Sequence, residues 1–292
     1  MSSGRRPPAR SRSRQRPPSR DRQRSKRRSS DLSARIVSAL PAIAFAIFIV
    51  VEGGTIFALG VMLLGLACLQ ELYTMLHGAR PVKLAGFAAL IGLVIAARYG
   101  TAFHVLLITV LAVPLLFVLT VARPMDAPAT PAMATTLLGV YWIGLAVAHI
   151  VLLRDLPHGG GIVVDILVGT FIGDTGAYLG GRAFGHRPLA PSISPKKTVE
   201  GLAFGAVAAV LAVFLASTYQ EWLTPGQAII LGLTCAVFAP LGDLFESLVK
   251  RSAGTKDTGR LFGPHGGALD RLDAVLFTLV AGYYVWVAML PG

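Results

Sequence analysis

Nine ionisable side chains fall within the 27 residues 247–273, SLVKRSAGTKDTGRLFGPHGGALDRLD, of a chain that is 14% charged overall. They are Lys250, Arg251, Lys256, Asp257, Arg260, His265, Asp270, Arg271 and Asp273. Carboxylates alternating with basic groups beside flexible glycines suit the handling of a metal–polyphosphate. Upstream, Asp243, Glu246, Ser247 and Lys250 follow at i, i+3, i+4 and i+7, which is one helix face. Asp243 lies about 10 Å below the end of its helix at a rise of about 1.5 Å per residue. A carboxylate at that depth in an apolar helix marks a functional site. Asp270 and Asp273 open the next helix one turn apart, at the end that favours negative charge. If the two helices form a hairpin, four carboxylates converge at one rim. Hard oxygen donors suit Mg2+, which takes one or two carboxylates plus substrate phosphates. The plain structural alternative is that these acids pair internally with Arg251 and Arg271.

Two further runs carry polar residues. In FIGDTGAYLGG, Asp174 lies eight residues before Arg182, at a depth similar to that of Asp243. Gly173, Gly176 and Gly180 share a face there and allow close helix approach, which does not account for the acid among them. In SPKKTVEG, Ser194 is a natural N-cap and Pro195 suits the first helical position. Lys196 and Lys197 would then sit on free amides at a helix start, an anion site. Glu200 near the first turn could hold a lysine or meet a metal. His265 lies in GPHGG, where Gly266 and Gly267 let the backbone approach a ligand. His149 reads as a packed or interhelical hydrogen-bonding residue. Asp165 lies at the wrong end of its segment for this chemistry.

The elements that position these residues are membrane helices. The chain is 54% hydrophobic over 292 residues, with mean hydropathy +0.64, too apolar for a soluble domain. Nine segments approach the roughly 20 apolar residues a span needs: 33–52, 54–75, 82–98, 101–121, 134–153, 161–181, 199–218, 226–249 and 271–290. The expected fold is therefore all-α, a polytopic helical bundle. It divides into a disordered basic tail (1–30), N-terminal helices (31–160) and a C-terminal region carrying the chemistry (161–292). The tail holds twelve of the 27 Lys/Arg and reads as a solvated topogenic segment against anionic headgroups, not a nucleic-acid arm or a signal peptide. Cys68 and Cys235 read as small core residues.

A cytosolic N-terminus puts the second, fourth, sixth and eighth connections on the same side. Those connections and their flanks carry twelve Lys/Arg, from Arg80 to Arg271, and the opposite ones carry Arg98 and Arg154. The polar loops therefore face the cytosol. The tail and the lack of targeting signals point to a bacterial inner membrane.

Residues 247–273 resemble the signature of the phosphatidate cytidylyltransferase (CDP-diacylglycerol synthase) family. That pattern is S-x-x-K-R, K-D, H-G-G and D-R-x-D. It is matched by Ser247, Lys250, Arg251, Lys256, Asp257, His265, Gly266, Gly267, Asp270, Arg271 and Asp273. The family's G-D-x-x-A-Y and S-P-K-K-T-x-E-G runs look matched by Gly173–Tyr178 and by Ser194–Gly201, which includes Thr198. Gly263-Pro264 reverses the commoner order. The resemblance implies a membrane enzyme joining CTP to phosphatidic acid, giving CDP-diacylglycerol and pyrophosphate. It associates Asp243 and Asp270 with the metal; Asp174 and Asp273 would support them. Lys196, Lys197, Lys250, Arg251 and Lys256 would hold phosphates. A second cation and a homodimer are left open. The CDP-alcohol phosphatidyltransferase pattern is absent. An anion transporter would place its polar sites at the midplane in both halves, and here they collect at one rim of the second half.

Overall fold

The structure is a computed structural model and describes residues 43–124, 128–259 and 266–290. The chain divides into Met1–Ala46, of which the start of one helix is described, and Ile47–Gly292, which holds the rest. Apolar runs become helices because lipid offers their backbone no other partner. Among the described residues these are α1 (Ile43–Glu52), α2 (Gly54–Met75), α3 (Lys83–Tyr99), α4 (Ala102–Val121) and α5 (Ala129–Asp155). After them come α6 (Gly159–Phe184), α7 (Val199–Ser217), α8 (Pro225–Ser252) and α9 (Leu269–Met289). Seven, α2 and α4 to α9, are long and apolar enough to cross a bilayer; α3 has 17 residues. The basic tail and the first part of the span expected at 33–52 lie outside the described residues.

Local chemistry sets where the helices start. Thr224 Oγ1 accepts from Gln227 N, the Gln227 side chain returns to Thr224 N, and Pro225 fills the first position of α8, a reciprocal cap. The 194–198 segment departs from expectation. Ser194 and Pro195 do not open a helix: β1 (Pro188–Ala190) pairs antiparallel with β2 (Ser194–Thr198). The pairing with β1 takes these residues into extended backbone, and another cap follows. Thr198 Oγ1 accepts from Gly201 N at 3.1 Å, so α7 begins at Val199. Lys196 and Lys197 thus project from a strand, not from helix amides.

Helices α6 and α7 meet along glycines. A Cβ added at Gly176 would lie 2.5 Å from Ala208 Cβ, and one at Gly173 would lie 3.1 Å from Ala209 Cβ. The expected close approach is therefore present, and α7 answers with its own Gly201 and Gly205. One apolar core runs from Ile49 to Trp286, with Leu69, Leu90, Ile143, Ile162 and Leu279 among its members. The N- and C-terminal helices share it. Cys68 and Cys235 are buried and free, as expected. His149 bonds Leu145 O at 2.7 Å through Nδ1 and the Tyr284 hydroxyl at 2.8 Å through Nε2, the interhelical role read from sequence.

The bundle has two unlike ends. At one, Leu269 N donates to Glu71 Oε2 at 3.0 Å, so the end of α2 lies beside the start of α9. At the other, Arg98 pairs with Asp155 at 3.4 Å and Arg154 Nε donates to Val50 O at 3.0 Å. Asp165 belongs to the second end, where it accepts from Gln220 Nε2 at 2.9 Å just beyond α7.

Candidate active site

The charged rim is built where α8 leaves the bundle and α9 re-enters it. Gly242 makes the close approach: a Cβ there would lie 2.5 Å from the Asp273 carbonyl oxygen and 3.0 Å from Ala274 Cα. The next residue, Asp243, and Asp273 are thereby brought face to face. The carboxylates of Asp174, Asp243 and Asp273 lie close enough to repel one another, so α6 contributes its acid to the same neighbourhood. One turn nearer the rim, Lys250 Nζ pairs with Glu246 and with Asp270 Oδ1, the latter at 3.0 Å. Asp270 also accepts from Gly267 N at 2.7 Å and from Thr258 N at 3.1 Å. The two helices do form a hairpin, and the four carboxylates Asp243, Glu246, Asp270 and Asp273 converge.

Lysines are among the partners of these acids. The acids pair with Lys250 and, at Asp243, with Lys197 of β2. Arg251 is exposed and its Nε donates to Ile193 O at 3.3 Å, tying α8 to the turn between the strands. Glu200 holds no lysine: its Oε2 accepts from His186 N and Arg187 N at 3.0 and 3.1 Å and so fixes the loop entering β1. Ser247 Oγ donates to Asp243 Oδ1 at 3.4 Å. Lys196, Lys256, Asp257 and Arg271 are exposed around the rim. Thr198 is spent on capping α7. Gly266 has φ +85°, and a Cβ on Gly267 would lie 2.5 Å from Thr258 Oγ1, so both positions require glycine. His265 lies outside the described residues, as does Arg260.

One participant escaped sequence reasoning. Glu71 of α2 reaches into the loop, where its Oε2 accepts from Leu269 N and, at 3.3 Å, from Thr258 Oγ1. Its Oε1 is buried with no hydrogen-bond partner among the described residues, as is Glu246 Oε1. The available signal was a lone acid in LACLQELYTML near the end of its helix.

The donor set bears on a divalent ion. Six carboxylates, those of Glu71, Asp174, Asp243, Glu246, Asp270 and Asp273, meet at this rim, and two lysines pair into it. Among the described residues no three acidic, histidine or cysteine side chains close on one point as a protein cage would. A magnesium ion held by one or two carboxylates and completed by phosphate oxygens fits such a site, and orphaned carboxylate oxygens are what a cation would satisfy.

Comparison with known proteins agrees with the geometry. The profile of the Cytidylyltransferase family matches residues 33–289. A phosphatidate cytidylyltransferase of Synechocystis sp. is 32% identical, the match covering 88% of this chain and 97% of that protein. One of Bacillus subtilis is 32% identical over 87% of this chain and 97% of the relative. One of Mycobacterium bovis is 39% identical over 158 residues, 54% of this chain and 51% of the relative. The chain thus spans about half the length of the mycobacterial relatives it matches. With a profile match running through both halves, the chain belongs to the cytidylyltransferase family.

Proposed function

We propose that this protein is a membrane-embedded phosphatidate cytidylyltransferase, transferring CMP from CTP to phosphatidic acid to give CDP-diacylglycerol and pyrophosphate. The observation that carries this reading is the meeting of acids from α2, α6, α8 and α9 with Lys197 and Lys250 at one rim of the bundle. The names of the full-length relatives support it.

The lipid phosphate needs no strong general base, since its second ionisation falls near pH ~6, as for other phosphomonoesters. One of its oxygens attacks the α-phosphorus of CTP; the bond from that phosphorus to the bridging oxygen breaks, and pyrophosphate leaves. The barrier is repulsion between two polyanions; positive charge around the phosphates lowers it, and holding them in line for attack lowers the entropic cost. Bound Mg2+, held by Asp243 and Asp270, would supply charge neutralisation on the phosphates. Asp174 and Asp273 would set the field around those ligands. Lys197 and Lys250, now paired with acids, would turn to incoming phosphate. Lys196, Arg251 and Lys256 supply further positive charge, and Gly266 and Gly267 let backbone amides come close. Phosphatidic acid would enter sideways from the cytosolic leaflet of a bacterial inner membrane, past the glycine-lined α6. The count of basic residues on that side supports the orientation.

The test is purified protein with phosphatidic acid, Mg2+ and CTP labelled at either the α- or the γ-phosphorus. The α-label should enter lipid and the γ-label should leave as pyrophosphate. A γ-label in lipid would identify a kinase, and no lipid label would remove the assignment. Cys68→Ser and Arg5→Ala should behave as wild type.

A further inference from the structure

A cavity of about 710 Å3 opens between the end of α2, the turn that follows it, the start of α3 and the end of α4. It shares no residue with the carboxylate rim. It lies at the same end of the bundle, because His77 in its wall follows Glu71 by six residues. Among the described residues the lining carries His77, Arg80, Lys83 and Arg123, and neither Asp nor Glu. These basic side chains contrast with the carboxylate rim, where acids and lysines alternate.

Two further features suit an anion. Helix α3 opens into the cavity behind Val82, so no side chain caps its first turn and no acid occupies it. Lys83 N is spent on Pro81 O, but the next amides of that turn and the positive end of the helix dipole attract negative charge. The site is also built. Arg123 Nη1 donates to the carbonyls of Arg80 and Pro81, each at 3.4 Å, and Val82 N donates to Thr136 Oγ1 at 2.8 Å. The loop and the guanidinium are therefore fixed before any ligand arrives.

The remaining wall selects the kind of anion. Pro81, Val82, Leu84, Leu119 and Ala122 are apolar, which a free phosphate would not use. Leu84 is 66% exposed, and Val118 and Val121, on the last turn of α4, are each 59% exposed. The cavity thus borders helix surface that a bilayer would cover. Basic pockets between helix ends at the headgroup level recognise anionic lipids. We propose that this cavity binds an anionic glycerophospholipid, its phosphate among Arg80, Lys83, Arg123 and the α3 amides, its glycerol and first acyl carbons against Leu84 and Leu119. This assignment does not rest on the reaction proposed above.

The test counts lipids on delipidated full-length protein by native mass spectrometry after incubation with phosphatidylglycerol or phosphatidylcholine. Wild type should retain at least one more phosphatidylglycerol than phosphatidylcholine. Lys83→Gln and Arg123→Gln should each lose that extra lipid, whereas Lys256→Gln at the carboxylate rim should keep it. Arg123 braces the turn, so the decisive variant is Lys83→Gln, whose side chain makes no hydrogen bond or ion pair among the described residues. Equal retention by Lys83→Gln with an unchanged melting temperature would overturn the proposal. So would displacement of the extra lipid by millimolar inorganic phosphate, which would make the cavity a site for the free anion.

Discussion

Two helix seams lie side by side in the second half of this molecule and are held by different physics. Between α6 and α7, Gly173, Gly176 and Gly205 bring backbone against backbone, and the contact is close. Between α8 and α9, Gly242 makes one such approach, and around it stand Asp243, Glu246, Asp270 and Asp273 with Lys250. Packing in the first seam is satisfied in the resting protein. Charge in the second is only partly satisfied, since Glu246 Oε1 is buried without a partner among the described residues. A seam held by shape makes a rigid wall; a seam carrying unbalanced carboxylates stores a demand for cations and phosphates. The difference separates scaffold from working surface on adjacent helices.

The comparison breaks most sharply at the acids. Asp243→Asn and Asp270→Asn should each lower turnover per folded molecule by about 10²–10³-fold, the scale of losing a preorganised electrostatic group. An equal loss in Gly176→Ala would erase the distinction between the seams. Lys250→Met should come next, on stability. It strands Glu246, 1% exposed, and Asp270, and breaking a buried pair costs roughly 3–5 kcal/mol. Adding Glu246→Gln should recover part of the lost melting temperature; no recovery would mean that the pair is not what holds this turn.

The packed seam should respond in the opposite sense. Gly176→Leu forces a side chain into Ala208, and overpacking costs about 1–3 kcal/mol. Thermal melts should fall while activity per folded molecule holds. Glu71→Gln keeps an acceptor for Leu269 N and Thr258 but removes charge, so a several-fold drop in kcat with little change in melting is expected. Unchanged kcat in Glu71→Ala would detach α2 from the site. The smallest effect belongs to the far end. Arg98 and Asp155 form a part-exposed pair at 3.4 Å, and such pairs contribute about 0–1 kcal/mol; Arg98→Gln should leave both melting and turnover within error.

What the sequence disclosed follows from the range of each interaction. The helices of the bundle were legible because apolar length alone dictates them. The hairpin of Asp243 and Asp273 was legible because one helix face and the next helix start sit 30 residues apart with a single charged loop between. SPKKTVEG misled because Ser-Pro reads as a helix start, and only the pairing of Pro188 with Thr198, fixed by residues outside the run, makes it a strand. Glu200 went astray with it, its partners being amides of the preceding loop. Glu71 left almost no trace, since its partner Leu269 lies 198 residues away and no periodicity reports a contact of that span. His265, the histidine of the signature run, lies outside the described residues, and its role stays the one the resemblance implies.

The central claim is that Asp243 of α8 and Asp270 of α9 serve one divalent ion together with substrate phosphates. Electron paramagnetic resonance of Mn2+ in place of Mg2+, titrated into the purified protein with CTP present, reads this without turnover. Wild type should bind Mn2+ in a CTP-dependent manner, and Asp243→Asn and Asp270→Asn should each abolish that binding while Asp165→Asn, at the far end, retains it. Wild-type Mn2+ affinity in either rim variant would contradict the account.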